Sequence, residues 1–191
     1  MNNYLIALGS NIAFGRFSKL GILKQALVTM SGLGINIIEV SRWWESRAFP
    51  AGSGPNYVNG VVDAYSDLKP NNLLDCLKKI EGHFGRESSE RWSSRTLDLD
   101  LLACNGLILP TRDIVMNWMT LPMHLQLKMT PKELILPHPR IQDRLFVLKP
   151  LREVSPNWVH PVLCKKANEL IMRGAWTQQD SLKVLEESSR L

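Results

Sequence analysis

The sequence predicts an α+β fold: a ferredoxin-like βαββαβ core, helices packed on one sheet face, the functional site on the open face, and a C-terminal helical extension. Three observations predict it. Short apolar runs and longer amphipathic stretches follow the order strand, helix, strand, strand, helix, strand. Each predicted helix carries one apolar stripe, as a helix lying on a sheet requires. The later strands alternate with period two, as strands with two different faces do.

Taken in order, Tyr4–Leu8 is an apolar run closed by Gly9-Ser10-Asn11, a strand ending in a turn. Leu20, Leu23, Leu27 and Met30 recur at helical spacing, which predicts a helix over about 17–31 that stops at Gly32 and Gly34. Residues 35–44 read as a second strand, and 50–55 as a Gly/Pro/Ser loop. In the third strand, residues 57–65, Val58, Gly60, Val62 and Ala64 share one face, with Tyr57, Asn59, Val61 and Asp63 on the other. A second helix carries Leu73, Leu77, Ile80 and Phe84 and stops at Gly85. The fourth strand, Thr96–Ala103, places Leu97, Leu99, Leu101 and Ala103 toward the core. Residues 107–133 read as an irregular insertion, and 165–173 as a C-terminal helix. Residues 1–175 form one domain, followed by a tail, 176–191, whose last fifteen or so residues fray.

Composition narrows the function. The 191 residues are 45% hydrophobic and 21% charged, as expected of an ordinary globular chain, with enough length to bury a core. No apolar run approaches the roughly 20 residues a membrane span needs, and the first residues lack a signal-peptide pattern. Cys76, Cys104 and Cys164 suit neither a disulfide framework nor a zinc site, so the chain reads as cytoplasmic. The net charge of +5 favours an anionic partner, nucleic acid or a small polyphosphate; charge alone does not choose, and the scatter of the basic residues weakens the case for a nucleic-acid stripe.

Chemistry concentrates at Asp98 and Asp100. Two residues apart on a strand, they face one side with Cα atoms about 6.5 Å apart. Like charges this close repel unless a cation lies between them, and oxygen ligands favour magnesium. A solvated edge strand would tolerate the same pair. Arg86, Arg91 and Arg95 lead directly into this strand, and guanidinium groups clamp phosphate oxygens with paired hydrogen bonds. An exposed basic loop reads the same way. Pro137-His138-Pro139-Arg140 and Arg144-Leu145-Phe146 form a third cluster, in which two prolines hold the histidine backbone; it also suits a rigid surface loop. Gly9-Ser10-Asn11 lacks the ending of a P-loop. Tyr57 and Asn59, on the open face, could stack on and hydrogen-bond a flat heterocycle, or simply finish a sheet surface.

Arg91-Trp92-Ser93-Ser94-Arg95-Thr96-Leu97-Asp98-Leu99-Asp100-Leu101-Leu102 carries the most specific part of a resemblance. Ala7-Leu8-Gly9-Ser10-Asn11, Tyr57-Val58-Asn59 and Leu136-Pro137-His138-Pro139-Arg140 through Arg144–Leu148 support it in the same order. From Tyr4 to about Pro161 the chain resembles the 6-hydroxymethyl-7,8-dihydropterin pyrophosphokinase family of folate biosynthesis. The resemblance implies transfer of pyrophosphate from ATP to a pterin alcohol, with two magnesium ions held by Asp98 and Asp100. Arg86, Arg95, Asp98 and Asp100 match catalytic positions. Arg86, Arg91, Trp92, Arg95, Leu101, Ile135, His138 and Arg144 match ATP-binding positions. Gly9, Ser46, Ala48, Tyr57, Asn59, Trp92 and Phe146 match pterin-binding ones, and Glu81 a helix residue near the pocket. Loops 47–55 and 86–95 are the expected lids.

The chain departs from the family pattern at Ser93-Ser94, where Gly-Pro or a similar pair is common, at Ser88 in place of an arginine, and at Arg47 in place of a proline. The expected partners are the two small substrates, without nucleic acid or membrane, and the expected state is monomeric. Two other readings compete: an RNA-binding module of the same fold class, and a nucleotide sensor without catalysis. The first sits badly with two aspartates on the open face, which repel phosphate without a metal.

Overall fold

The computed structural model describes residues 1–48, 52, 54–85, 95–126 and 128–185. An antiparallel sheet forms its centre, built on β1 (Asn2–Ser10), which pairs with β4 (Tyr57–Ser66) on one side and β5 (Asp98–Cys104) on the other. The far edge of β4 takes two short strands, β2 (Asn36–Val40) and β3 (Trp44–Ser46). A last strand, β8 (Leu182–Val184), extends the sheet beyond β3. The mixed α/β architecture with an antiparallel sheet is therefore the one expected.

Helices α1 (Lys19–Gly32) and α2 (Pro70–His83) pack on one face through Ile22, Leu23, Ala26 and Met30, and through Leu73, Leu77 and Ile80. In α1 the buried stripe is rotated slightly from the expected one, with Leu20 and Leu27 only partly buried at its margin. Ser18 caps α1 by accepting the Gly21 N–H at 3.2 Å. Gly85, at φ +76°, follows α2 in the left-handed conformation that glycine adopts without strain.

The expected strand over 35–44 is two strands. Between β2 and β3, Ser41 replaces regular pairing with its side chain: its N–H donates to Val61 O at 3.0 Å, and its Oγ accepts the Val61 N–H at 3.0 Å. Trp43 then lies over Gly60, so closely that a Cβ there would meet the indole at 2.6 Å.

Three further expectations give way. The sheet face opposite α1 and α2 is not left open along its length. Helix α5 (Leu145–Val154) and helix α6 (Ala167–Arg173) cover half of it, packing Val147, Leu148, Leu151 and Leu170 against Leu5, Val61, Leu102 and Ala103. Residues 107–133 are not irregular throughout. Among the described residues of this stretch, α3 (Arg112–Met119) and the short α4 (Met123–Gln126) are helical, and α3 buries Val115 against Ile135 and Val162. Nor do residues 177–185 fray: β8 is hydrogen-bonded to the sheet, because β3 offers it an unpaired edge. The C-terminal helix is present as α6, preceded by the two-stranded pair β6 (Val159–His160) and β7 (Lys165–Lys166). Among the described residues no helix is long and apolar enough to cross a membrane.

His160 is fully buried beside Trp158, and its Nδ1 faces the Val162 and Leu163 N–H groups, which donate to it at 3.3 and 3.2 Å. Burial pulls its pKa from 6.5 down to about 4. The unfolded chain therefore takes up a proton at this residue before the folded one does. Its contribution is fully present above pH 6.5 and is lost as the pH falls toward 4, amounting to about 3 kcal/mol. We expect His160→Asn, which can keep the acceptor without the titration, to flatten the acid side of the stability profile. Urea unfolding at pH 7 and pH 4.5 measures this, and equal pH slopes in the two proteins would contradict it.

Candidate active site

Strand β5 projects Asp98 and Asp100 away from Leu97, Leu99 and Leu101, which lie in the core under α1 and α2. The period-two reading holds through Leu101 and then fails. Ile6 pairs with Leu101 but Leu5 pairs with Ala103, so Leu102 is an extra residue in the strand. This bulge turns Ala103 to the face covered by α5 instead of the expected one.

The two aspartates are compensated in the protein itself. Arg95 reaches Asp98 at 2.5 Å, and Arg144, from the turn before α5, reaches Asp100 at 3.1 Å. For Arg95, burial works against the charge, but Asp98 and then Asp100 outweigh it and raise its pKa. Arg144 also lies over the Phe146 ring, 5.8 Å from its centroid. The opposed charges draw sequence-distant elements onto one point of the sheet.

Two buried polar side chains hold the surroundings. Glu81 of α2 is only 5% exposed and accepts the Leu99 N–H at 2.7 Å, satisfying an amide on the strand at the sheet's edge, midway between the aspartates. Asn11 accepts the Arg95 N–H at 2.6 Å and donates to Pro55 O at 3.3 Å, joining the end of β1 to the segments before β5 and β4. On the central strand, Gly9 lies between Asn59 of β4 and Asp98 of β5. Its missing side chain leaves the floor between them open, since a Cβ would stand 3.6 Å from both Tyr57 and Asn59. Asn59 is itself held by donating to Ser46 Oγ at 2.9 Å.

These residues line two adjoining chambers. The smaller, about 220 Å³, is bounded by Gly9, Tyr57, Asn59, Arg95 and Asp98. The larger, about 610 Å³, is bounded by Ala48, Leu101, Ile135 and His138 and is of a size typical for small-molecule sites. Ser46, Arg47, Asp100, Arg144 and Phe146 line both, so Asp100 stands where the chambers meet. Every candidate residue that the structure describes thus faces one chamber or both. Ala48, matched above to a pterin contact, lines only the larger. Arg86, Arg91 and Trp92, with Ser88, Ser93 and Ser94, lie outside the described residues.

His138 is placed by main-chain bonds: its N–H donates to Leu102 O at 2.8 Å, and its Nδ1 accepts the Arg140 N–H at 3.1 Å. Burial lowers its pKa to about 4, with Arg144 and Arg140 adding to the effect against the pull of Asp100. At neutral pH it is an uncharged imidazole whose Nε2 carries the proton.

The sequence reading missed part of the larger wall. Trp118 and Met129 come from the supposed insertion, and Thr177, Gln179, Asp180 and Leu182 from the supposed tail. The alternation of Leu182 and Val184 around Lys183 is the only local signal for β8, and three residues are too few to separate a strand from a tail.

Fold and site together define an α+β domain with two adjoining chambers above an antiparallel sheet and Asp100 at their junction. Among solved structures, Plasmodium falciparum HPPK-DHPS wild type with pteroate matches 90% of this chain with a TM-score of 0.65 at 14% identity. This chain spans 44% of that one, and the likeness concerns the fold. A family model described as 7,8-dihydro-6-hydroxymethylpterin-pyrophosphokinase (HPPK) matches residues 5–156, and the chain belongs to that family. Relatives named 2-amino-4-hydroxy-6-hydroxymethyldihydropteridine pyrophosphokinase include one from Synechocystis sp., 35% identical over 87% of this chain and 73% of its own length. Another, from Bacillus subtilis, is 30% identical over 99% of this chain and 94% of its own length.

The Glu81 contact is testable apart from activity. Glu81→Leu leaves the Leu99 N–H buried without its acceptor and is expected to cost about 1–3 kcal/mol. Glu81→Gln, which retains an acceptor oxygen, is expected to cost much less. Denaturant melts of both variants check this, and equal losses would rule the contact out as the cause.

Proposed function

We propose that the chain transfers the pyrophosphoryl group of ATP to the hydroxymethyl oxygen of 6-hydroxymethyl-7,8-dihydropterin, releasing AMP, in folate biosynthesis. The observation that carries this reading is the position of Asp100 at the meeting point of two chambers of unequal size, with Asp98 beside it in the smaller one. A pterin fits the smaller chamber, where Tyr57 and Phe146 offer aromatic faces and Asn59, Ser46 and Gly9 supply an edge and a floor. ATP fits the larger, with its base near Leu101 and Ile135 and its phosphates toward Arg144, His138 and Arg95. Arg86, Arg91 and Trp92 are proposed to complete the phosphate and pterin contacts.

The donor set suits magnesium: two carboxylates on one strand face, oxygen only, with room in the adjoining cavity for phosphate oxygens. Two magnesium ions held by Asp98 and Asp100 would neutralise charge on the attacking and leaving oxygens. The protein's own contribution is position and charge. Arg95 and Arg144 already stand against the acids, where guanidinium groups are placed to bind phosphate oxygens. Neutral His138 donates from Nε2 without adding a charge. Closure around both substrates excludes water, which competes as a nucleophile.

The order β5-β1-β4, with β2 and β3 beyond β4, supports reading the core as ferredoxin-like. We take residues 1–175, with β8 added to their sheet, as one pyrophosphokinase domain, acting in the cytoplasm as a monomer on small molecules, not on RNA.

An AMP-formation assay with and without the pterin alcohol tests the function. AMP release that requires the pterin is the expected result, and release indifferent to it would refute the reading. Asp98→Ala is expected to keep its fold by circular dichroism and lower kcat about 1,000-fold or more. Turnover near that of the unmodified chain would remove Asp98 from the site. Phe146→Ala is expected to raise the KM for the pterin about tenfold and leave that for ATP within twofold. The opposite order in the same steady-state measurements would count against the stacking role.

A further inference from the structure

The wall of the larger chamber contains a segment outside the residues that the family model matches, which end at 156. Residues 177–182 cross the cavity side of the fold between two anchors. At one end Trp176 Nε1 donates to Ile171 O at 2.6 Å, tying the segment to α6. At the other, β8 pairs with β3 in the register Leu182 opposite Ser46 and Val184 opposite Trp44, and the Leu185 N–H donates to Trp43 O at 2.9 Å. Leu185 then packs against the main core. The span between the anchors is shaped by its own polar groups. Thr177 donates from its N–H and its hydroxyl to Asp180 Oδ2 at 2.8 and 2.9 Å, which closes a short 3-10 turn. Both of those bonds end on Oδ2, so Oδ1 keeps its accepting capacity.

We propose that residues 177–182 are a nucleotide-positioning strap, in which Asp180 and Gln179 hydrogen-bond the ribose of the ATP in the larger chamber. This rests on the pyrophosphokinase reading and extends it to a specificity determinant. The strap presents Thr177, Gln179, Asp180 and Leu182 to the cavity: a hydroxyl, an amide, a carboxylate and an aliphatic chain. A carboxylate repels phosphate, so this wall faces an uncharged part of the ligand. A carboxylate with a neighbouring amide is well suited to sugar hydroxyls, which donate to it. The pairing of β8 with β3 also places the strap against Ser46, so the same sheet edge carries a residue lining both chambers.

The test compares the full chain, Asp180→Ala, and a chain ending at Trp176. Calorimetric titration with a non-hydrolysable ATP analogue and with its 2′-deoxy counterpart, both with magnesium, reads nucleotide binding independently of turnover. We expect Asp180→Ala and the shortened chain to bind the ribonucleotide about tenfold more weakly, with the preference over the deoxy form reduced to near unity. In Asp180→Ala the KM for the pterin should stay within twofold. Unchanged nucleotide affinity in Asp180→Ala, with a native thermal melt, would overturn the strap. So would weakening of the ribo and deoxy forms by the same factor, which marks a structural effect. If the shortened chain fails to fold, Asp180→Ala decides alone. Absence of nucleotide binding by the full chain would instead overturn the pyrophosphokinase reading itself.

Discussion

Two carboxylates on one face of one strand cannot stand together without compensating positive charge, and the functional half of this protein is arranged to supply it. Asp98 takes Arg95 from the segment just before β5, and Asp100 takes Arg144 from the turn before α5, 44 residues further on. The second pair brings the start of α5 to the sheet. With it come Phe146, which lines both chambers, and Val147 and Leu148, which seal the neighbouring half of the sheet face. Electrostatics at the acids and apolar burial beside them therefore draw the same helix to the same place.

The acids are held in position by hydrogen bonds to the main chain around them. The Leu99 amide, between the two, goes to Glu81 of α2, so the helix on the opposite face of the sheet holds the edge strand in register. Asn11 ties the Arg95 backbone to the end of β1 through bonds in both directions. Gly9 keeps the central strand low where the smaller chamber needs depth.

Where reading and structure part, the reasons are physical. Helix α5 was hidden by Pro150 within it and by the loop-like Arg144-Leu145-Phe146 at its start. The proline is tolerated because α5 is fastened by Val147, Leu148, Leu151 and Val154 in the second core, which outweighs one missing main-chain bond. The bulge at Leu102 is invisible in a run of leucines and alanine, since either face accepts such residues. Strand β8 exists only because β3 has an unpaired edge to offer it.

The sequence by itself determined the mixed α/β class with its first strands and two sheet-packing helices, their apolar stripes, the placing of Asp98 and Asp100 on one strand face, and the family through its separated motifs. Those features follow from periodicity and short-range spacing, which a chain carries wherever it folds. Only the tertiary structure decided that Arg144 answers Asp100, that Glu81 holds Leu99, that the site divides into two chambers meeting at Asp100, and that the C-terminal residues wall the larger one. Each of these depends on bringing residues far apart in the chain within a few ångströms of one another. That proximity comes from packing both faces of one sheet at once, and no local pattern records it.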